Sequence, residues 1–219
     1  MSSWQPANDL MMREETLMKT LFIAMIGFST LIFAATLVEA ATNLDKATFA
    51  GGCFWCMEHP FDQTPGVVSV TSGYTGGEKK NPTYKEVSAG GTGHAESIQV
   101  IYDPTRVSYE KLLEVFWHNI DPTAKDRQFC DSGRQYRSAI FYHNDEQRRL
   151  ALQSRELLEK NKTFKDPIVT EIVAATEFYP AEDYHQHYYK KNPIRYKYYR
   201  TVCGRDQRLK VLWGDTAGH

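Results

Sequence analysis

Six residues, Gly51-Gly52-Cys53-Phe54-Trp55-Cys56, constrain this chain more than any other stretch, because they have to turn a strand into a helix. The short apolar run before them makes Lys46–Ala50 a strand, and Cys53–Asp62 after them reads as a helix with an irregularity at Pro60. Paired glycines let the backbone turn sharply and let another molecule approach it closely. A cysteine at the start of that helix meets unpaired N–H groups and the positive end of the helix dipole. Such a site is expected to lower a thiol pKa from its usual value of about 8.5. Cys53 is therefore read as a nucleophile, with Phe54 and Trp55 as walls of an apolar pocket beside it.

Cys53 and Cys56 form a C-x-x-C, which other chemistries also use. A zinc site needs a second close pair, and Cys130 and Cys203 stand far apart, so no metal is expected. A thioredoxin-like redox pair stays open on the motif alone. Phe54 and Trp55 could also be plain core residues.

The 219-residue chain has a formal net charge of −1, so nothing in it suggests nucleic acid as a partner. Its 4 cysteines are too few for a disulfide scaffold at this length. Residues 1–40 read as a leader. Leu21–Val38 is nearly all apolar, Lys19 precedes it, and Val38-Glu39-Ala40 puts small residues at a cleavage position. Met18 is an alternative start that leaves a shorter, positive leader. The expectation is export, periplasmic or secreted, with mature protein from near Ala41. An uncleaved leader would serve as a membrane anchor, at the lower limit of spanning length. Residues 41–219 are expected to form one domain, a monomer, with 195–219 as a tail.

Along the chain, Gln63-Thr64-Pro65-Gly66 is a turn and Val67–Thr71 a β-branched strand. Gly73–Pro82 reads as a loop and Tyr84–Ser88 as a short helix. Glu96–Tyr102 alternates, with Ile98, Val100 and Tyr102 on one face. Glu96 is in phase with Ile98, so its carboxyl points to the apolar side or, at a strand end, into solvent. Burial would raise its pKa and keep a transferable proton on it near neutrality. Ser108 caps a helix running to Asn119, and Asn144 with Gln147 starts another that reaches Asn161. Tyr136–Tyr142 and Ile168–Ala174 read as strands. His185 and His187, two apart in an aromatic-rich tail, read as a hydrogen-bonded or solvated pair. Two successive strand-helix-strand units predict an α+β sandwich of ferredoxin-like type.

Several motifs in register resemble the A-type peptide methionine sulfoxide reductases. They are Gly51–Cys56, Thr71-Ser72-Gly73-Tyr74-Thr75-Gly76-Gly77, Asn81-Pro82-Thr83-Tyr84, Gly93-His94-Ala95-Glu96, Gln135–Ile140 and Glu182-Asp183-Tyr184-His185. The resemblance runs from about Lys46 to Trp213. It implies a ferredoxin-like α+β fold and reduction of the S epimer of methionine sulfoxide, in proteins or free. It implies Cys53 as nucleophile, and Glu96, Tyr84 and Tyr136 around the sulfoxide oxygen. Phe54 and Trp55 would hold the substrate methyl, with Asp131, His185 and Tyr188 as polar support. No bound cofactor is implied, only an external, thioredoxin-like dithiol reductant. A second thiol must resolve the Cys53 sulfenic acid. Cys203 is ranked first, on a flexible tail with Arg200 and Arg205 favouring its thiolate; Cys56 is second and Cys130 third.

Overall fold

Strand β1 (Asp45–Gly51) runs through the middle of a sheet, and its composition shows why: every residue from Ala47 to Gly51 is buried. It pairs antiparallel with β3 (Ala95–Tyr102) on one side and with β6 (Ser138–Tyr142) on the other. Beyond β3 lies β2 (Val67–Thr75), edged by the short β8 (Tyr179–Pro180); beyond β6 lies β7 (Glu171–Ala174), the one parallel neighbour. The order across the sheet is β7-β6-β1-β3-β2-β8. A separate two-residue hairpin joins β4 (Arg127–Gln128) to β5 (Asp131–Ser132). The structure is a computed structural model that describes residues 43–218. The leader expected over residues 1–40 lies outside the described residues.

Helix α1 (Phe54–Asp62) connects β1 to β2 and packs on β2 and β3. A one-turn helix, α2 (Tyr84–Ser88), follows β2. Helix α3 (Tyr109–His118) follows β3 and rests on β1, and α4 (Asp145–Asn161) packs on α3, β6 and β7. The inner elements therefore occur as β1-α1-β2 and then β3-α3-β6, an α+β arrangement with its helices crossing the sheet. Phe49 of β1 knits the layers together, its ring 5.1 Å from Phe61 of α1 and 5.2 Å from Phe116 of α3. Truncating such a buried ring to alanine costs about 3–5 kcal/mol. Both expected caps form: Ser108 Oγ accepts from Lys111 N at 3.2 Å and Asn144 Oδ1 from Gln147 N at 2.8 Å.

Three expectations are corrected. Strand β2 continues to Thr75 instead of giving way to a loop at Gly73, because Gly73 is packed against β8. A Cβ there would run into the Tyr179 carbonyl and the Phe178 ring. The strand expected from Tyr136 starts at Ser138, since Arg134–Tyr136 is a 3-10 turn. The tail expected over 195–219 is largely helical, comprising most of α6 (Pro193–Val202) and all of α7 (Arg205–Trp213), preceded by the short α5 (Tyr188–Lys191). Pro193 sits in the first turn of α6, where it needs no N–H donor. Gly204, at φ 69°, makes the turn into α7. Among the described residues, no helix is long and apolar enough to cross a membrane.

Candidate active site

Gly52 adopts φ +82°, and a Cβ there would strike the Gln128 side chain. Only glycine passes this point without strain. The turn delivers Cys53 to the N-cap of α1, where its carbonyl accepts from Cys56 N at 3.0 Å and Met57 N at 3.3 Å. Phe54 N, at the first position of the helix, donates to Glu96 Oε2 at 3.1 Å. Glu96 is 2% exposed. Burial pushes its carboxyl up to about 8, against the lowering effect of the Phe54 bond, and the charges of Asp131 and Cys56 push the same way as burial. The carboxyl on the apolar face of β3 is thus buried and holds its proton at neutral pH.

The expected lowering of the Cys53 thiol is overturned. Burial raises it well above its ordinary value, and its bond to Cys56 and the charges of Cys56, Glu96 and Asp131 add to the shift. The leading N–H of the helix serves the Glu96 carboxyl. Cys56 moves the other way, lowered by its hydrogen bond with Cys53 and by Arg205 and Arg200, against burial. Of the two thiols, Cys56 is therefore the readier to lose its proton. Arg205 is 1% exposed. It donates from Nη2 to Asn119 O at 2.7 Å and Gly51 O at 3.0 Å, and its guanidinium lies 4.4 Å from the Phe129 ring centre.

Aromatic rings surround the thiols. Phe54 lies 5.0 Å from the His185 ring, 5.9 Å from Tyr74 and 6.5 Å from Tyr84. Trp55 stacks on Tyr188 at 3.7 Å with planes 7° apart, and its Nε1 donates to His185 Nδ1 at 3.0 Å. That bond assigns the His185 proton to Nε2, and burial keeps the ring neutral by lowering its pKa. Tyr188, expected as polar support, contributes its ring. Tyr84 and Tyr136 are half-buried, and burial followed by the Glu96 charge raises both, Tyr84 to about 12. Both hydroxyls thus remain proton donors at neutral pH. Glu182 accepts from Tyr84 N at 2.9 Å and from the Tyr74 hydroxyl at 2.8 Å, fixing the entry of α2. Asp131, its pKa raised by burial, accepts a hydrogen bond from the Tyr199 hydroxyl.

Cys203 is not the free thiol of a flexible tail. It caps α6 and forms a disulfide with Cys130, Cα to Cα 4.9 Å, while Cys53 and Cys56 are the free thiols among the described residues. Arg205 accordingly acts on Cys56 and not on Cys203. Cys130, Asp131 and Cys203 bring ligand atoms within 4.8 Å of one another, but the bonded sulfurs offer no thiolate to a metal. Sequence reasoning missed Tyr199 and Glu58. For Glu58 a signal existed: Phe54, Glu58 and Phe61 share one face of α1 at helical spacing, and all three are buried.

A buried thiol pair at a helix N-terminus, facing a protonated carboxyl and two tyrosine hydroxyls, defines a thiol-dependent oxidoreductase site on an α+β fold. The family model described as "Peptide methionine sulfoxide reductase" matches residues 45–217. The peptide methionine sulfoxide reductase MsrA of Bacillus licheniformis is 56% identical over 170 residues, covering 78% of this chain and 94% of the relative. That of Bacillus subtilis is 56% identical over 168 residues, covering 77% and 95%. Among solved structures, methionine sulfoxide reductase A of Corynebacterium diphtheriae is similar at 36% identity and TM-score 0.63, covering 71% of this chain and 78% of that one. Mxr1 of Saccharomyces cerevisiae in reduced form is similar at 34% identity and TM-score 0.65, covering 73% and 91%. The chain belongs to the peptide methionine sulfoxide reductase family.

Proposed function

We propose that the protein reduces the S epimer of methionine sulfoxide, in proteins and free, back to methionine, with Cys53 as the nucleophile and Glu96 as the acid. The observation that carries these roles is the convergence of the Cys53 thiol and a carboxyl protonated up to about pH 8 beneath an aromatic wall. A sulfoxide sulfur is a poor electrophile until its oxygen takes up a proton. Glu96 supplies that proton, and the Tyr84 and Tyr136 hydroxyls donate hydrogen bonds to the oxygen as negative charge builds on it. Phe54, Trp55 and Tyr188 offer apolar surface to the methyl group, with His185 and Asp131 in support.

The Cys53 proton first passes to Cys56, its hydrogen-bonded neighbour. The Cys53 sulfur attacks the sulfoxide sulfur; the oxygen, carrying the Glu96 proton, passes to Cys53 as its old S–O bond and the new sulfur–sulfur bond break, so methionine leaves and Cys53 is left as a sulfenic acid. A thiolate at Cys56 attacks that sulfur, the sulfenic oxygen departs as water on taking a proton, and a Cys53–Cys56 disulfide forms. An external dithiol of thioredoxin-like kind reduces it and is itself oxidised. Cys56 takes precedence over Cys203 as resolving thiol because it is free and adjoins Cys53, whereas Cys203 is bonded to Cys130. Export through a cleaved leader is supported by the apolar run Leu21–Val38 and is checked by N-terminal sequencing of the mature protein. The deciding experiment for the function supplies separate S and R epimers of a methionine sulfoxide peptide with dithiothreitol. One methionine per dithiol oxidised is expected from the S epimer alone. Disulfide reduction without methionine formation would instead assign a general thiol–disulfide oxidoreductase.

A further inference from the structure

Helix α1 carries a fully buried carboxylate that the proposed chemistry does not use. Glu58 lies one turn beyond Phe54 and is 0% exposed. Its Oε1 accepts from the backbone N–H of His187 at 2.9 Å, and His187 Nδ1 stands 3.1 Å from the same oxygen. Oε2 is buried with no hydrogen-bond partner among the described residues. His187 has left-handed backbone angles, φ 51° and ψ 39°, which a residue with a Cβ adopts only at a cost of about 1–2 kcal/mol. A bond from its N–H to a buried carboxylate is of the strong, charge-assisted kind that offsets such a cost. The turn at His187 sits between the two side chains that hold Trp55: His185, which accepts from the indole N–H, and Tyr188, which stacks on the indole face.

We propose that Glu58 is a positioning residue for substrate binding, its carboxylate holding the His187 turn so that Tyr188 and His185 fix Trp55 as the wall of the sulfoxide pocket. Glu58 touches no reacting atom. It acts through His187 and then Tyr188. Burial raises its carboxyl to about 7, with the His187 N–H opposing. The charged and titratable groups around it are His187, Asp62 and Lys190, with Asp62 paired to Lys190 and bonded by the Tyr189 hydroxyl. The grip on the turn is therefore strongest above pH 7 and weakens as Glu58 takes a proton.

The inference rests on the proposed sulfoxide reduction, so the wild-type enzyme is assayed first; if it forms no methionine, it is the function that fails. With activity in hand, KM and kcat for an N-acetylated S-sulfoxide peptide are measured from pH 5.5 to 8.5 in wild type, Glu58→Gln and Tyr188→Leu. Wild-type KM should rise about tenfold as pH falls through 7, the scale expected when a charge-assisted bond becomes a neutral one. Glu58→Gln keeps the size and an acceptor oxygen but has no proton to gain. Its KM should be about tenfold above wild type at pH 8 and flat across the pH range, with kcat changing far less. In Tyr188→Leu the wild-type rise of KM at low pH should vanish, and adding Glu58→Gln should raise KM little further. A Glu58→Gln enzyme whose KM still follows wild type through pH 7, or one that loses kcat at unchanged KM, overturns the proposal. So does a full additional KM increase in the double variant, because Glu58 would then act on something other than the Tyr188–Trp55 stack.

Discussion

The backbone N–H of Phe54 donates to the Glu96 carboxyl at 3.1 Å, across 42 residues of sequence. This single bond ties the first turn of α1 to the start of β3, and so sets the acid beside the nucleophile. It also favours the charged carboxylate, which by itself would spoil a proton donor. Burial opposes it and prevails, leaving the pKa near 8. A donor of that kind is protonated where it must work and is held in place by a bond that does not consume its proton.

Glu96→Gln keeps the shape and the acceptor for Phe54 N but removes the transferable proton. The rate of methionine formation should fall about a hundredfold or more, the usual scale of general acid catalysis. In wild type the acid is lost as pH rises through about 8, so the rate should decline on that side. The variant's residual rate should lack this decline. A variant with a wild-type pH–rate profile would assign the alkaline limb to another group.

The same residue makes a stability prediction of opposite sign to that of a salt-bridged carboxylate. Glu96 has a folded pKa of about 8, against about 4.3 in an unfolded chain. Between those values the folded protein binds more protons, so the Glu96 contribution to stability is fully present below pH 4.3 and is lost as pH rises through 8. Glu96→Gln should therefore gain melting temperature relative to wild type at pH 9 compared with pH 5. Thermal unfolding at both values checks it, and a difference that does not change with pH would show that Glu96 stays charged throughout.

Much of this was legible in local pattern. Ser108 and Asn144 announce helices because a cap is a contact made within three residues; the period of two puts Glu96 in phase with Ile98 but, at the strand's end, leaves its burial open until the structure buries it. What pattern could not give depends on partners far along the chain. Gly73 looks like a loop residue until β8 is packed against it. The Cys53 thiol looks activated by its helix until burial, the bond to Cys56 and the charges of Cys56, Glu96 and Asp131 push it the other way. Cys203 looks like a free tail thiol because nothing local says that α6 delivers it to Cys130. Arg205 beside it in sequence points inward to Gly51 O, 154 residues away.

The Cys130–Cys203 disulfide closes a sequence separation of 73 residues and ties α6 to the hairpin that carries Asp131. Replacing both cysteines by serine should lower unfolding stability by about 2–4 kcal/mol, the usual range for such a cross-link, as denaturant melts would measure. The double variant should still release methionine from a sulfoxide in a single turnover, since Cys53 and Glu96 lie elsewhere. If turnover then stopped after one methionine in the presence of dithiothreitol, Cys203 and Cys130 would have to be in the redox cycle after all.

The last prediction concerns which thiol resolves the sulfenic acid. Cys56 hydrogen-bonds Cys53 and is pushed toward its thiolate, and the attacking form is the thiolate. Arg205 contributes to that push while bonding Gly51 O and Asn119 O, so it holds the glycine turn and the charge together. Protein taken through one turnover without reductant should carry Cys53–Cys56 and Cys130–Cys203 disulfides and no alkylatable thiol. Cys56→Ser should instead accumulate a Cys53 sulfenic acid that dimedone traps. Arg205→Met should raise the Cys56 pKa, read as a higher pH midpoint for iodoacetamide labelling, and slow disulfide formation at pH 7 more than at pH 9. It should also cost about 1–3 kcal/mol of stability for each carbonyl left unpaired. If the Cys130–Cys203 bond is first reduced, peptide mapping after one turnover that finds Cys53 joined to Cys203, with Cys56 and Cys130 both open to alkylation, would return the role to the C-terminal thiol.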